Sequence, residues 1–216
     1  MDRNVTALPR VIAAPADKPI RPEADENQRL MSQIVRDPSS WTPELAAFTA
    51  QVFDAMAENW ADERGGYRLE PVTDALARGG PFLSGSCLEI GAGSGVLTAN
   101  LQSVWNEIVC LDLSMEMLRL QSTDCRVRAD ASKLPFADQS FEAVVIGDAP
   151  LFAGEVVRVL SSNGAVVWSN ALGTGAPYYL PTLDIWDAMV RADRESSWSA
   201  LESEALWGTW VVLHRA

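Results

Sequence analysis

The chain has 216 residues, of which 48% are hydrophobic and 21% are charged. These values predict one globular domain with a substantial core, because two domains of this total length would each be small. The formal net charge of −12 argues against a nucleic-acid partner, since an acidic surface repels the phosphate backbone. No stretch approaches the length of a membrane span, and the first residues lack the apolar run of a secretory signal. We therefore expect a soluble cytoplasmic protein without a membrane partner.

Only two of the 17 basic residues are lysine, a bias that suggests a bacterial source with a GC-rich genome. The three cysteines, Cys87, Cys110 and Cys125, form no CxxC pair and lie far in sequence from the single histidine, His214. We expect all three to be buried reduced thiols, and we expect no metal site.

Residues 1–25 contain four prolines, alternating charges and little hydrophobic periodicity. This pattern predicts a flexible N-terminal arm. Residues 26–80 then show apolar positions at helical spacing, with Thr42 as a helix cap and Pro43 at the first helical position. The predicted helices span residues 26–31, 42–59 and 70–77.

Beyond residue 80, short apolar runs alternate with helical segments. Their hydrophobicity is continuous rather than alternating, which is typical of strands covered on both faces by helices. The intervening segments are long enough for crossovers, so we predict a parallel sheet with right-handed connections. The predicted strands span residues 86–90, 107–111, 126–129, 141–146, 165–169 and 209–213. Residues 81–216 are therefore assigned to one doubly wound, Rossmann-like α/β domain.

A glycine-rich turn follows the first of these strands, where residues 89–95 read Glu-Ile-Gly-Ala-Gly-Ser-Gly. Such a turn brings bare backbone close to a ligand at the carboxyl end of a parallel strand. A tight strand-to-helix connection without a ligand is the alternative. In a dinucleotide fingerprint the third glycine comes one position later, where Val96 stands here. The spacing therefore favours a cofactor that has no phosphate.

Two carboxylates accompany the turn. Asp112 closes the second predicted strand 21 residues after Gly91, a distance at which a carboxylate reaches the hydroxyls of a ribose held over the turn. The alternative is that Asp112 only caps a helix near Ser114. Glu89 would be costly to bury without a cationic or hydrogen-bonded partner, and a ligand ammonium would supply one.

With these features the chain resembles the class I S-adenosylmethionine-dependent methyltransferases, particularly small bacterial members of the ubiquinone/menaquinone methyltransferase type. The resemblance covers residues 86–170 in four ordered segments. It implies a seven-stranded sheet in the order 3-2-1-4-5-7-6, with strand 7 antiparallel, and N-terminal helices that close as a lid over cofactor and substrate. The matching segments are residues 89–95, 111–114 with 117–118, 128–131 with 134–145, and 155–164.

The resemblance also implies S-adenosylmethionine as the cofactor and a set of residues that bind it. Gly91 and Gly93 would face its methionine moiety, and Asp112 would hold the ribose diol. Asp130 and the amide of Ala131 would read the adenine edge. The implied cofactor-binding set is Glu89, Gly91, Ala92, Gly93, Asp112, Leu113, which packs on the adenine, Asp130, Ala131 and Gly147.

The acceptor side departs from part of this class. Nucleic-acid and protein amide methyltransferases carry Asn or Asp, two prolines and an aromatic residue after the fourth strand, whereas residues 148–151 here read Asp-Ala-Pro-Leu. We therefore expect a small-molecule acceptor, methylated on O, N or C. Asp148 is the candidate catalytic base or substrate contact, with a helix cap as its alternative. Tyr178, Tyr179 and His214 are further candidates for the base, and for His214 the alternative is a polar residue near the end of the terminal strand. Tyr178 and Tyr179 are candidate substrate-binding residues, with Trp186 more suited to core packing.

Two other functions stay open at this point. A nucleotide-dependent oxidoreductase shares the glycine turn and Asp112, although Val96 argues against it. A protein that binds the cofactor without turnover, as a structural ligand or as a partner subunit, would keep every cofactor-binding residue.

Overall fold

A computed structural model describes residues 3–17, 24–63 and 66–216. Within these residues the chain forms eight strands in one mixed sheet, with helices on both faces. The strands are β1 (Val5–Ala7), β2 (Ser86–Ile90), β3 (Glu107–Asp112), β4 (Arg126–Arg128), β5 (Phe141–Gly147), β6 (Leu160–Asn170), β7 (Trp198–Ala205) and β8 (Gly208–Arg215). The helices are α1 (Ala24–Arg36), α2 (Pro43–Glu63), α3 (Leu69–Arg78), α4 (Thr98–Leu101), α5 (Met115–Arg119), α6 (Ala153–Val159) and α7 (Thr182–Ala192).

The strand order is β1-β7-β8-β6-β5-β2-β3-β4. Strand β8 is antiparallel to both of its neighbours, and the other pairs are parallel. Without β1 this is the expected order 3-2-1-4-5-7-6 with an antiparallel strand 7, so the predicted doubly wound α/β class is confirmed. The chain runs from β2 outward to β4 and then crosses back to β5. The carboxyl ends of β2, β3 and β5 therefore face one crevice.

The resemblance predicts seven strands, whereas the described residues form eight, because part of the predicted flexible arm joins the sheet. Within residues 1–25, β1 pairs in parallel with β7 and extends the edge of the sheet. Residues 1–2 and 18–23 of that arm lie outside the described part of the chain. Parallel pairing stabilises this proline-rich segment because it satisfies backbone groups that a free arm would leave to water. The segment also makes two surface ion pairs, Arg3 with Asp187 and Arg10 with Glu204.

The N-terminal helices match their predicted positions with longer bounds. Thr42 caps α2 as predicted, since its hydroxyl accepts a hydrogen bond from the Leu45 amide at 3.3 Å. Helix α1 continues past its predicted end because Ile34 and Val35 are buried and extend its apolar face. Strand β7 escaped the sequence prediction since its apolar residues alternate with polar ones instead of forming a continuous run. It forms a hairpin with β8.

The core has two layers, one on each face of the sheet. Cys87 and Cys110 are buried in it as expected, whereas Cys125 is exposed, because it lies in the turn before β4 and not within a strand. None of the helices in the described residues combines the length and apolar character needed to cross a bilayer.

A buried polar network fastens α3 to the sheet. The carboxylate of Asp74, 4% exposed, accepts hydrogen bonds from Trp210 Nε1 and from Arg78 Nε, each at 2.7 Å. Arg78 also donates to Ser203 Oγ at 2.9 Å and to the Pro9 carbonyl at 3.1 Å. Burial alone would raise the pKa of Asp74, but the hydrogen bonds from Arg78 and Trp210 outweigh it and lower that pKa. The Asp74–Arg78 pair thus joins the helix, the sheet and the N-terminal segment.

We expect Asp74→Ala to reduce the free energy of unfolding by roughly 3 kcal/mol, because it leaves a buried indole N–H and a guanidinium without their acceptor. Urea denaturation at pH 7 measures this. Glu116→Gln removes a carboxylate from an exposed pair with Arg119 and should leave stability nearly unchanged. Equal stability of Asp74→Ala and the native protein would show that the network does not stabilise the fold.

Candidate functional site

A cavity of about 680 Å³ lies at the carboxyl ends of β2, β3 and β5, beneath α1 and α2. Its volume is in the range of small-molecule binding sites. The sequence-predicted residues that line it are Gly91, Ala92, Gly93, Asp112, Leu113, Asp130, Ala131, Gly147, Asp148 and Tyr178. The fold therefore brings together positions spread over almost ninety residues of the chain.

The glycine turn forms the floor of this cavity. Gly91 and Gly93 have φ angles of +70° and +54°, in the left-handed region that favours glycine. A Cβ on Gly91 would lie 2.5 Å from the Cβ of Ala149, so the position is closed to any larger residue. A Cβ on Gly93 would meet only a carbonyl oxygen at 3.9 Å. The backbone at Gly93 is therefore open to a ligand.

The amides of the turn are mostly used within the protein. Those of Gly91 and Ala92 donate to the Leu111 carbonyl at 2.9 and 3.0 Å, and that of Gly93 donates to Asp112 Oδ2 at 2.8 Å. A pyrophosphate site needs free amides at a helix start, whereas α4 begins only at Thr98. The turn is thus poorly suited to a dinucleotide.

Asp112 joins two loops through its carboxylate. Besides the Gly93 bond, Oδ1 accepts from the Ser114 amide at 2.8 Å, and Ser114 itself is the N-cap of α5. Burial raises the pKa of Asp112. The capping alternative for Asp112 is wrong, since Ser114 caps α5 and Asp112 accepts from the amide of that cap residue. The Asp112 carboxylate can still accept from a ligand, because each oxygen has a second lone pair and the residue lines the cavity.

Glu89 lies behind the turn and does not line the cavity. Its side chain is 1% exposed, and its Oε2 accepts a hydrogen bond from Thr98 Oγ1 at 2.6 Å. Its Oε1 is buried without a partner among the described residues. Burial raises the pKa of Glu89 to about 7. A cationic ligand group above the turn would stabilise the ionised form, so this orphaned oxygen fits a cofactor that carries an ammonium.

Asp130 is bound by a lid residue that the sequence did not single out. Trp41, between α1 and α2, donates its indole N–H to Asp130 at 3.1 Å from Oδ1 and 3.0 Å from Oδ2. The Ser132 amide donates to Oδ1 at 2.8 Å. The helical pattern gave no signal for Trp41, because it lies outside both helices. The predicted adenine end of the site is therefore in direct contact with the lid.

A second contact holds the lid to the domain. Asp54 on α2 accepts hydrogen bonds from the Ser114 hydroxyl and, at 3.1 Å, from the Glu116 amide. The hydrogen bond from Ser114 lowers the pKa of Asp54. Helix α2 is thus bonded to the start of α5, directly after Asp112.

Asp148 lies at the end of β5 with a φ of +49°. Its Oδ1 accepts from the Ala171 amide at 3.2 Å, and its Oδ2 is 3.4 Å from Arg68 Nη1. The helix-cap alternative is wrong, since α6 begins later, after Phe152. Arg68 was missed in the sequence because a single arginine before a helix is a common pattern.

The other acceptor-side candidates lie in different parts of the structure. Tyr178 lines the cavity, with its ring centroid 6.4 Å from that of Phe53. Tyr179 turns away and packs against a small cluster around Leu172, so the structure does not bring the two tyrosines together. Trp186 belongs to the core, as the alternative held. His214 bonds the Gly79 carbonyl at 2.6 Å, outside the cavity lining.

The charged lining is mostly acidic. Among the described residues, one cation lines the cavity, Arg68, beside the carboxylates Glu26, Asp112, Asp130 and Asp148. In the same part of the chain no group of three or more His, Cys, Asp or Glu side chains is arranged to hold a metal ion.

Comparisons with known proteins agree with this geometry. Residues 88–168 match the family model described as a methyltransferase domain. No curated protein sequence matches the chain.

Among solved structures, the DhpI–SAH complex is similar with a TM-score of 0.61 and 16% identity, over 82% of this chain and 99% of that one. A putative methyltransferase of Haloferax volcanii, solved with the Trm112 activator, has a TM-score of 0.60 and 17% identity, over 75% and 96%. A possible histamine N-methyltransferase of Thermotoga maritima has a TM-score of 0.53 and 14% identity, over 87% and 99%.

At these identities the solved structures establish the fold, and the family match covers the glycine turn, Asp112, Asp130 and Asp148. Residues 88–168 are thus similar to a methyltransferase domain, and the chain shares its fold with solved methyltransferase structures.

Proposed function

We propose that this protein transfers a methyl group from S-adenosylmethionine to a small-molecule acceptor bound in the cavity between the sheet and the lid. The observation that carries the proposal is the continuity of that cavity, which runs from the glycine turn, Asp112 and Asp130 to Arg68 and Tyr178. One enclosed space is thus lined at once by the residues assigned to the cofactor and by those available to an acceptor.

The cofactor assignment rests on the chemistry of the described groups. Glu89, whose Oε1 has no partner among the described residues, suits the ammonium of a methionine moiety bound above the turn, because its negative charge would attract that ammonium from behind the glycine turn. Asp112 and Asp130 offer carboxylate oxygens to the ribose hydroxyls and the adenine amine, and Leu113 and Ala131 supply apolar surface beside them. When bound, S-adenosylmethionine supplies an electrophilic methyl group on a sulfonium. The DhpI–SAH complex supports this assignment.

Several properties favour a small acceptor. The net charge of −12 and the acidic lining oppose a phosphate backbone. Helix α2 lines the cavity with apolar and aromatic side chains, which suit an apolar acceptor. These lining residues of α2 are Leu45, Phe48, Val52, Phe53, Met56 and Trp60.

A protein that binds the cofactor without turnover is the second candidate. The cofactor-binding residues are compatible with turnover and with binding alone, but a purely structural cofactor site does not need the apolar space that lies beyond them. Titration calorimetry with S-adenosylmethionine, S-adenosylhomocysteine and NADH tests the first step. Micromolar binding of the first two alone supports the proposal, whereas binding of NADH alone contradicts it.

We expect Asp112→Ala to weaken S-adenosylhomocysteine binding about tenfold or more, because ribose hydrogen bonds to a carboxylate are worth roughly 1.5–3 kcal/mol each. Calorimetry gives the dissociation constant. Asp112→Asn keeps one acceptor oxygen, so its dissociation constant should fall between those of the native protein and Asp112→Ala. Asp124→Ala removes an exposed carboxylate outside the cavity lining and serves as the matched control. An unchanged dissociation constant in Asp112→Ala would remove Asp112 from the site.

Glu89 predicts a pH dependence of cofactor binding. Its raised pKa of about 7 means that below pH 7 a bound ammonium must first displace a proton. Affinity for S-adenosylhomocysteine should therefore rise with pH up to about 7, by at most about tenfold per pH unit, and then level off. Glu89→Gln should abolish this slope. A native protein with equal affinity at pH 5.5 and 7.5 would contradict the assignment.

The ionisation of Glu89 can also be followed without the cofactor, through the stability of the fold. The pKa of Glu89 is raised by folding, so its contribution to stability is fully present below the unfolded pKa of about 4.3 and is lost as pH rises through about 7. Urea denaturation should show a smaller decline of stability over this pH range in Glu89→Gln than in the native protein. Equal declines would place the ionisation elsewhere.

A further inference from the structure

Arg68 has hydrogen-bond donors that the protein itself does not use. Its side chain is 16% exposed, and its Nε is buried without a hydrogen-bond partner among the described residues. A guanidinium carries five N–H donors, and its burial is costly unless those donors are satisfied. Because Arg68 also lines the cavity, its guanidinium lies beside any ligand bound there.

The pair between Arg68 and Asp148 is loose. Arg68 Nη1 is 3.4 Å from Asp148 Oδ2, whereas a charge-assisted N–H···O bond is about 2.7–2.9 Å long. A ligand oxygen beside the pair could lie within hydrogen-bond distance of both groups. The pair therefore suits a group that both donates and accepts.

Aromatic rings adjoin the pair. The Arg68 guanidinium lies over the ring of Trp60, 5.0 Å from its centroid. Phe53 is 5.6 Å from Trp60 and 6.4 Å from Tyr178 between centroids. We call these three rings, Phe53, Trp60 and Tyr178, the aromatic wall. All three line the cavity, and such a wall suits a flat aromatic molecule.

The charges at the pair discriminate between acceptor classes. A protonated amine would be attracted by Asp148 but repelled by Arg68, and a carboxylate would be attracted by Arg68 but repelled by Asp148, so neither gains a net charge stabilisation from the pair. A neutral hydroxyl meets both groups favourably, since it donates to Asp148 and accepts from Arg68. An aromatic ring that carries this hydroxyl would pack on the aromatic wall.

We propose that the methyl acceptor is a phenol, with Asp148 as the general base and Arg68 as the group that binds the phenolic oxygen. This inference rests on the proposed function. The phenolic O–H bond breaks and its proton passes to an Asp148 oxygen. The oxygen forms a bond to the methyl carbon, and the electron pair of the broken S–CH₃ bond stays on sulfur, leaving a neutral thioether. Arg68 stabilises the negative charge that develops on the oxygen.

The first test compares three probes that share one ring system, 2-naphthol, 2-naphthoate and 2-naphthylmethylamine, by calorimetry on protein saturated with S-adenosylhomocysteine. We expect the neutral phenol to bind at least tenfold more tightly than the acid or the amine. Arg68→Met should weaken 2-naphthol about tenfold or more and change the dissociation constant of S-adenosylhomocysteine less than about twofold. Arg119→Met, which alters an exposed arginine outside the cavity lining, should change neither.

The second test follows methyl transfer from S-adenosylmethionine to 2-naphthol. We expect Asp148→Asn to lower kcat at least 100-fold while the dissociation constant of 2-naphthol changes less than about threefold, because the amide oxygen still accepts the hydroxyl but cannot take its proton. A general structural loss would change both quantities.

Four results would overturn the inference. Two come from the native protein: tighter binding of the acid or the amine than of 2-naphthol, or no methyl transfer to 2-naphthol. Two come from the variants: an undiminished kcat in Asp148→Asn, or an Arg68→Met variant that loses affinity for S-adenosylhomocysteine and not for 2-naphthol. The last result would assign Arg68 to the cofactor carboxylate. Failure of the proposed function is distinguishable, since the native protein would then bind neither S-adenosylmethionine nor S-adenosylhomocysteine.

Discussion

The position of β2 at the point where the strand order reverses is the constraint on which the site depends. Strand β2 pairs with β3 on one side and β5 on the other, all parallel, so three strand ends open into one crevice. The glycine turn, Asp112 and Asp148 each follow one of these strands. Their proximity is therefore a consequence of topology, and the close contact between Gly91 and Ala149 keeps the two sides of the crevice together.

The N-terminal helices are held to this crevice by polar contacts at two points. Trp41 binds Asp130, and Asp54 binds Ser114 at the start of α5. Both partners lie next to residues assigned to the cofactor. The lid is therefore coupled to the cofactor site through directional hydrogen bonds, while its apolar side chains supply the cavity wall. If Asp130 binds the cofactor as proposed, cofactor binding and lid position should influence each other, since Trp41 bonds the same carboxylate.

Electrostatics divides the cavity into two regions. At the turn, Glu89 and Asp112 are buried acids with raised pKa values, an arrangement that favours a cationic ligand. At the other end, Arg68 and Asp148 form a pair with little net charge, beside aromatic rings. A sulfonium cofactor matches the acidic region at the turn, and a neutral aromatic acceptor matches the region around Arg68 and Asp148.

The sequence by itself determined the α/β class and the glycine turn, because continuous apolar runs and closely spaced glycines are local signals of parallel strands and of close backbone approach. The strand order of the main sheet and the assignment of Asp130 and Ala131 to the cofactor followed only from the resemblance to a methyltransferase family. The sequence did not determine that β1 extends the sheet, where β7 lies, or that Trp41 and Arg68 belong to the site. It also paired Tyr179 with Tyr178, although only Tyr178 lines the cavity. These features depend on contacts between residues distant in the chain, such as Arg68 with Asp148 and Trp41 with Asp130, and no local pattern encodes which side chains meet when the lid packs over the sheet.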